Sequence, residues 1–279
     1  MVGQAIAICG LGNGMLRPVR IDYSEAKGEG KEKKFEMLED IPTFTECVRG
    51  VACSPNSSWF VTCGDQRFTL FDLERPLSSA TALMTTACPD SEYSSVVWPT
   101  FQPWCPSAIK EAGFFGIWDV RLPKTKPDLM GVFDLRGRKV YAHQRLNDHQ
   151  AILGTDLGSL IPIDLRRLTR PIIDAVDEPI VPDTNVAAIS SLAMDASHSK
   201  LLVAGLGLST WNILDGTLVP EAHLSIKKKP RGAAILTHDF HVVHGVPLQY
   251  EETATYSACF GSDGSVIWSN SETAVGLAY

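Results

Sequence analysis

Short apolar runs broken by clusters of Gly, Asp, Asn, Ser and Pro set the rhythm of this chain, most clearly over residues 48–73. The run Val48 to Cys53 ends in Ser54-Pro55-Asn56-Ser57, a cluster of turn formers. A second run, Trp59 to Cys63, closes on Gly64-Asp65, and a third extends from Arg67 to Leu73. Strand, polar turn, strand, Gly/Asp turn, strand is the pattern of an antiparallel meander. The second turn recurs. Gly154-Thr155-Asp156-Leu157-Gly158 leads into Leu160 to Asp164, Gly261-Ser262-Asp263-Gly264 into Val266 to Trp268, and Gly10-Leu11-Gly12-Asn13-Gly14 into Val19 to Asp22. Glycine and Asn/Asp supply the positive φ that tight hairpins need. Weaker units of the same type span Ala112 to Arg121 and Leu201 to Leu214. No segment of helical period is long enough to indicate a separate helical domain.

Six strands end on an apolar or aromatic residue followed by a polar one: Ile21-Asp22, Phe71-Asp72, Trp118-Asp119, Ile163-Asp164, Trp211-Asn212 and Trp268-Ser269. Counted on the second residue, the spacings are 50, 47, 45, 48 and 57. A period of roughly 40–50 residues with such a terminator is that of a β-propeller, one blade per repeat. The expected fold is therefore all-β, a single propeller domain over residues 1–279 with six or seven blades. The first blade begins with its second strand near Gln4 to Cys9, so several readings of the ring stay open, a divergent blade not visible in the repeat and an incomplete chain among them. Ser271 to Tyr279 could supply a strand, or the ring is open and a partner strand fills the exposed edge by β-augmentation. Three excursions are expected outside the blades. They are a charged, flexible loop at about 25–39 and insertions at about 99–106 and 227–231.

These residues resemble the WD-repeat family along nearly the whole chain. Trp118-Asp119 is the one true Trp-Asp pair at a strand end, and the Gly-His dipeptide of that family's blades is absent. The resemblance implies a platform for protein partners. It also implies a specific alternative: Trp118-Asp119-Val120-Arg121, echoed one blade later by Ile163-Asp164-Leu165-Arg166, looks like the box by which substrate receptors of cullin-based ubiquitin ligases meet their adaptor. An arginine just past a strand end projects from one rim, where its planar guanidinium can clamp carboxylates or carbonyls. The structural alternative is that each arginine pairs with an aspartate of a neighbouring blade.

Charge narrows the partner class. The 279 residues carry 25 Lys and Arg against 32 Asp and Glu, a net charge of −7, which argues against general nucleic-acid binding. The seven cysteines form no Cys-x-x-Cys pair, no basic secretory leader precedes them, and no apolar run is long enough to cross a membrane. A reducing compartment, cytoplasm or nucleus, is expected, without membrane insertion.

Candidate chemistry is sparse. The glycines at 10, 12 and 14 lack the third glycine of a dinucleotide fingerprint, since position 15 is Met15, and Pro18 stands where its helix would run. His238, His241 and His244 could share a helix face with zinc-ligand spacing, but their β-prone flanks put successive members on opposite faces of a strand. No nucleophile elbow, phosphate loop or His-Glu-x-x-His occurs. A propeller hydrolase with a central site would have to assemble without local signature, as a second alternative. The expectation is a non-enzymatic scaffold, a subunit of a larger multiprotein assembly, with neither cofactor nor metal. Its contact candidates are Trp98, Phe101 and Trp104 in the Pro- and aromatic-rich stretch, for which the alternative is a loop folded back onto its own blade, together with Arg121 and Arg166. The basic run Lys227, Lys228, Lys229 and Arg231 is a secondary electrostatic candidate, whose plainer reading is a solvated loop tip.

Overall fold

The computed structural model describes residues 3–23, 33–56, 58–75, 82–87, 92–122, 126–135, 137–168, 188–195, 197–205, 207–214 and 217–225, and the strand segments 234–236, 242–244, 257–260, 266–269 and 274–275. They form antiparallel sheets joined by turns, with one short 3-10 turn over Leu165–Arg167. The first sheet takes β1 (Gly3–Gly10), β2 (Met15–Tyr23) and β3 (Lys33–Met37) in sequence order, with the short β4 (Ile41–Pro42) also against β2. The second runs β5 (Gly50–Cys53), β6 (Trp59–Gly64), β7 (Arg67–Asp72), β8 (Ala82–Ala87). The third runs β9 (Tyr93–Val97), β10 (Ser107–Lys110), β11 (Phe114–Ile117), β12 (Leu129–Val132). Next come β13 (Val140–Arg145), β14 (Gln150–Thr155) and β15 (Leu160–Asp164), then the four strands β16 (Ser191–Met194), β17 (Lys200–Ala204), β18 (Gly207–Leu214) and β19 (Thr217–Ser225). A hairpin of β20 (Ala234–Leu236) and β21 (Val242–His244) and the sheet β22 (Ser257–Phe260), β23 (Val266–Ser269), β24 (Ala274–Val275) complete the set.

The repeat read from sequence has a fixed place in these meanders. Asp72 ends β7, Asp164 ends β15, Asp119 follows β11 by two residues and Asn212 lies in β18, each the third strand of its sheet. Asp22 and Ser269 lie instead on the second strand of theirs, β2 and β23. The turns before β2, β7 and β15 share a job. Asp65, at φ 43° between β6 and β7, accepts from Thr45 N at 2.9 Å and Thr45 Oγ1 at 2.8 Å, tying down the segment that leads into its own sheet. Asp156 does the same with Lys139 N at 3.1 Å. The backbone carbonyls of Leu11, Asp65 and Thr155 accept from Val48, Tyr93 and Ile189, the segments that lead into the next sheet. In the first sheet's turn, Gly14 has φ +80° and lies against the backbone of Phe44.

The chain divides into two compact units, 1–111 with 115–130, and 112–114 with 131–279. Inside the first unit one core holds Val61, Cys63, Phe68, Leu70, Tyr93, Val96, Trp98, Ala108 and Trp118. A smaller one holds Leu16, Ile41, Phe60 and Phe71. Inside the second, Ala142, Ile152, Leu160, Ile189, Leu201, Val203 and Trp211 pack together. Full burial of such a side chain contributes about 1.5–3 kcal/mol, so sheet-to-sheet packing dominates the stability.

One expectation about the excursions needs correction. Residues 33–37, expected to be the second half of a charged loop, are β3, with Ile21 opposite Phe35 and Asp22 opposite Lys34 on β2. On the facing strands Arg20 meets Glu36 at 2.6 Å. The expected insertion at 99–106 connects β9 to β10 and takes the folded-back course. The insertion at 227–231 lies outside the described residues.

Candidate protein-interaction surface

The Pro- and aromatic-rich stretch connects β9 to β10 inside the first unit. Gln102 N donates to Pro99 O at 3.3 Å and Cys105 N to Gln102 O at 3.1 Å, so the chain turns twice. It is fastened to the residues after β11, because Trp118 N donates to Pro106 O at 3.1 Å and Val120 N to Trp104 O at 3.0 Å. Trp98 is not a surface contact. It is 7% exposed within the larger core, and its indole N–H donates to Pro103 O at 3.1 Å. The folded-back loop thus satisfies the one polar atom that would have resisted burial. Phe101 is half-buried.

Trp104 is the ring the loop leaves at the surface. Half-buried against the core, it meets the Trp59 ring edge-on, with centroids 5.4 Å apart and planes at 60°. Arg121 Cζ stands 5.9 Å from the centroid of Trp104, within cation–π range. The guanidinium is held in place by Asp119: Nε donates to Oδ1 at 2.9 Å and Nη2 to Oδ2 at 2.6 Å, while Oδ1 also accepts from Arg121 N at 3.1 Å. Asp119 N in turn donates to Asp128 Oδ2 at 2.7 Å. The hydrogen bonds and charge of Asp119 raise the Arg121 pKa further above its ordinary value.

Beside this corner, Gly116 explains how the Trp118 ring fits. A methyl group there would sit 2.7 Å from Trp118 Cη2, and that ring stacks on Phe68 with centroids 4.3 Å apart.

In the second unit the same clasp is built on Asp164. Arg166 Nε donates to Oδ1 at 2.9 Å and Nη2 to Oδ2 at 2.7 Å, and Arg166 N donates to the same carboxylate at 3.0 Å. Hydrogen bonds from the Arg166 side chain, which outweigh burial, lower the Asp164 pKa to about 2. Neither arginine reaches an aspartate of another sheet in these pairs; each closes on the aspartate two residues before it. Their side chains remain 58% and 68% exposed.

Sequence reasoning misses Trp59 of the first corner and Arg75, which lies just past Trp59's cross-strand partner Asp72. Trp59 reads there only as the start of a strand. Arg75, whose Nε lies 3.3 Å from Asp72 Oδ2, lengthens the Asp-x-Arg pattern by one residue, and the terminator Phe71-Asp72 is the available signal for it. Lys227, Lys228, Lys229 and Arg231, like His238 and His241, lie outside the described residues. No group of three or more His, Cys, Asp or Glu suited to a metal ion occurs among the described residues, and no helix there is long and apolar enough to cross a membrane.

Comparison with known proteins places the fold and nothing finer. No protein-family model matches the chain. No curated protein matches it either. Among solved structures it is similar to a chain of a structure described as "Crystal Structure of Mitotic Checkpoint Complex", with a TM-score of 0.60 at 13% identity, over 97% of this chain and 70% of that one. With the repeated antiparallel sheets, that similarity makes the fold an all-β, WD40-like propeller.

Proposed function

We propose that this protein is a non-enzymatic interaction scaffold, a subunit of a larger multiprotein assembly in the cytoplasm or nucleus. The fold supports the reading, and one observation carries it: arginines at strand-end corners are clasped in fixed orientation while most of their surface stays exposed. Orientation fixed before binding lowers the ordering cost of an interface. The test is recovery of the tagged full chain from its native cell, with the stoichiometry of what co-elutes. One or two proteins at near-equal amounts are expected; a chain recovered alone and monomeric overturns the assembly reading.

A second reading, the substrate receptor of a cullin-based ubiquitin ligase, is favoured by the identical Asp–Arg clasp on Asp119 and Asp164. It requires that Arg121→Ala with Arg166→Ala abolish binding to the ligase adaptor while the chain still unfolds cooperatively. Binding that survives the double substitution ends this reading.

A further inference from the structure

We propose that the corner formed by Trp59, Trp104 and Arg121, with Arg75 just past Asp72 on the strand beside Trp59, docks an extended acidic segment of a partner protein, a site that rests on the scaffold reading above. The occupant follows from the inventory of donors and acceptors. Among the described residues the indole N–H groups of Trp59 and Trp104 have no acceptor, and Arg121 Nη1 has none. The aspartates that face the two guanidinium groups are already engaged. Asp119 accepts three hydrogen bonds from Arg121, and Asp72, the cross-strand partner of Trp59, accepts from Glu74 N at 2.9 Å and faces Arg75. What is left is a set of donors, two indoles and two guanidinium groups, with their nearest carboxylates taken. Arg75 is 59% exposed and Arg121 58%. Such a surface is rich in unengaged donors, so its complement supplies acceptors: side-chain carboxylates for the guanidinium groups and backbone carbonyls for the indoles. Trp and Arg are also the residue types over-represented at interface hot spots. Leu122, 47% exposed directly after Arg121, gives an apolar neighbour for such a segment.

The test uses the full chain and a random peptide library displayed on phage. Selected peptides are synthesised with a fluorescent label, alongside counterparts in which each Asp is Asn and each Glu is Gln. Acid-rich peptides are expected, losing roughly tenfold or more in affinity in the neutral counterparts and in Arg121→Gln or Trp104→Ala. Arg121→Gln alters an exposed side chain, so it keeps the test decisive should Trp104→Ala fail to fold. Peptides without acidic excess overturn the proposal, as do acidic peptides that bind both variants unchanged. In the latter case peptide binding persists at another surface, so the scaffold reading survives and this site does not. Complete displacement by inorganic phosphate would assign the corner to a phosphate ligand and overturn the peptide.

Discussion

Gly116 shows how one missing methyl group sets the packing of a whole corner. With Trp118 Cη2 2.7 Å from where its Cβ would stand and Pro127 3.2 Å away, Gly116→Ala forces the indole off Phe68. Overpacking of this kind costs about 1–3 kcal/mol, and a lowered urea midpoint at unchanged slope is the expected result. Asp164 makes stability depend on pH. Its carboxyl, held at about 2 against an ordinary 3.8, is depressed in the folded state. Its contribution is therefore fully present above the unfolded value and lost as pH falls through the folded one. The stability difference between the protein and Asp164→Asn should shrink from about pH 5 toward about pH 2, measured as urea midpoints along the series. At this scale sequence is least legible. Arg121 and Arg166 stand out as candidates, but the clasp to their own aspartates depends on how a strand end turns, which residue type does not encode. Trp98 misleads for a related reason: prolines around it point to an exposed loop, while the loop's carbonyl at Pro103 gives the buried indole its acceptor.

Strands and turns are the most readable features, because their signals are local. Alternation and Gly/Asp punctuation locate β6 and β7 to within a residue, and the turn at 10–14 is a hairpin, not a nucleotide loop. Within that turn two of the glycines are not equivalent. Gly14 has φ +80° and abuts the Phe44 carbonyl, whereas a Cβ on Gly12 meets nothing within 4 Å. Placing an L-residue in the left-handed region costs about 1–2 kcal/mol before any clash, so Gly14→Ala should destabilise clearly and Gly12→Ala by no more than about 0.5 kcal/mol. Thermal unfolding of the two variants side by side checks this; equal midpoints would mean that the turn relaxes. One strand, β3, hides behind composition. Lys33, Lys34 and Glu36 resemble a solvated run until they are set opposite Tyr23, Asp22 and Arg20.

For the molecule as a whole, the repeat period reports the architecture, since each blade closes its own hydrogen bonds and leaves a periodic trace. The division into two compact units, which falls near residues 111–131, leaves no mark in the repeat spacing. The paired rings of Trp59 and Trp104 have one more consequence. Two indoles 5.4 Å apart at 60° share their electronic transitions, and such coupling shows up as a signed couplet in far-ultraviolet circular dichroism. The protein would then carry its own optical gauge at the corner, absent from Trp59→Phe and Trp104→Phe. Any molecule that wedges the rings apart or tilts them would announce itself without a label.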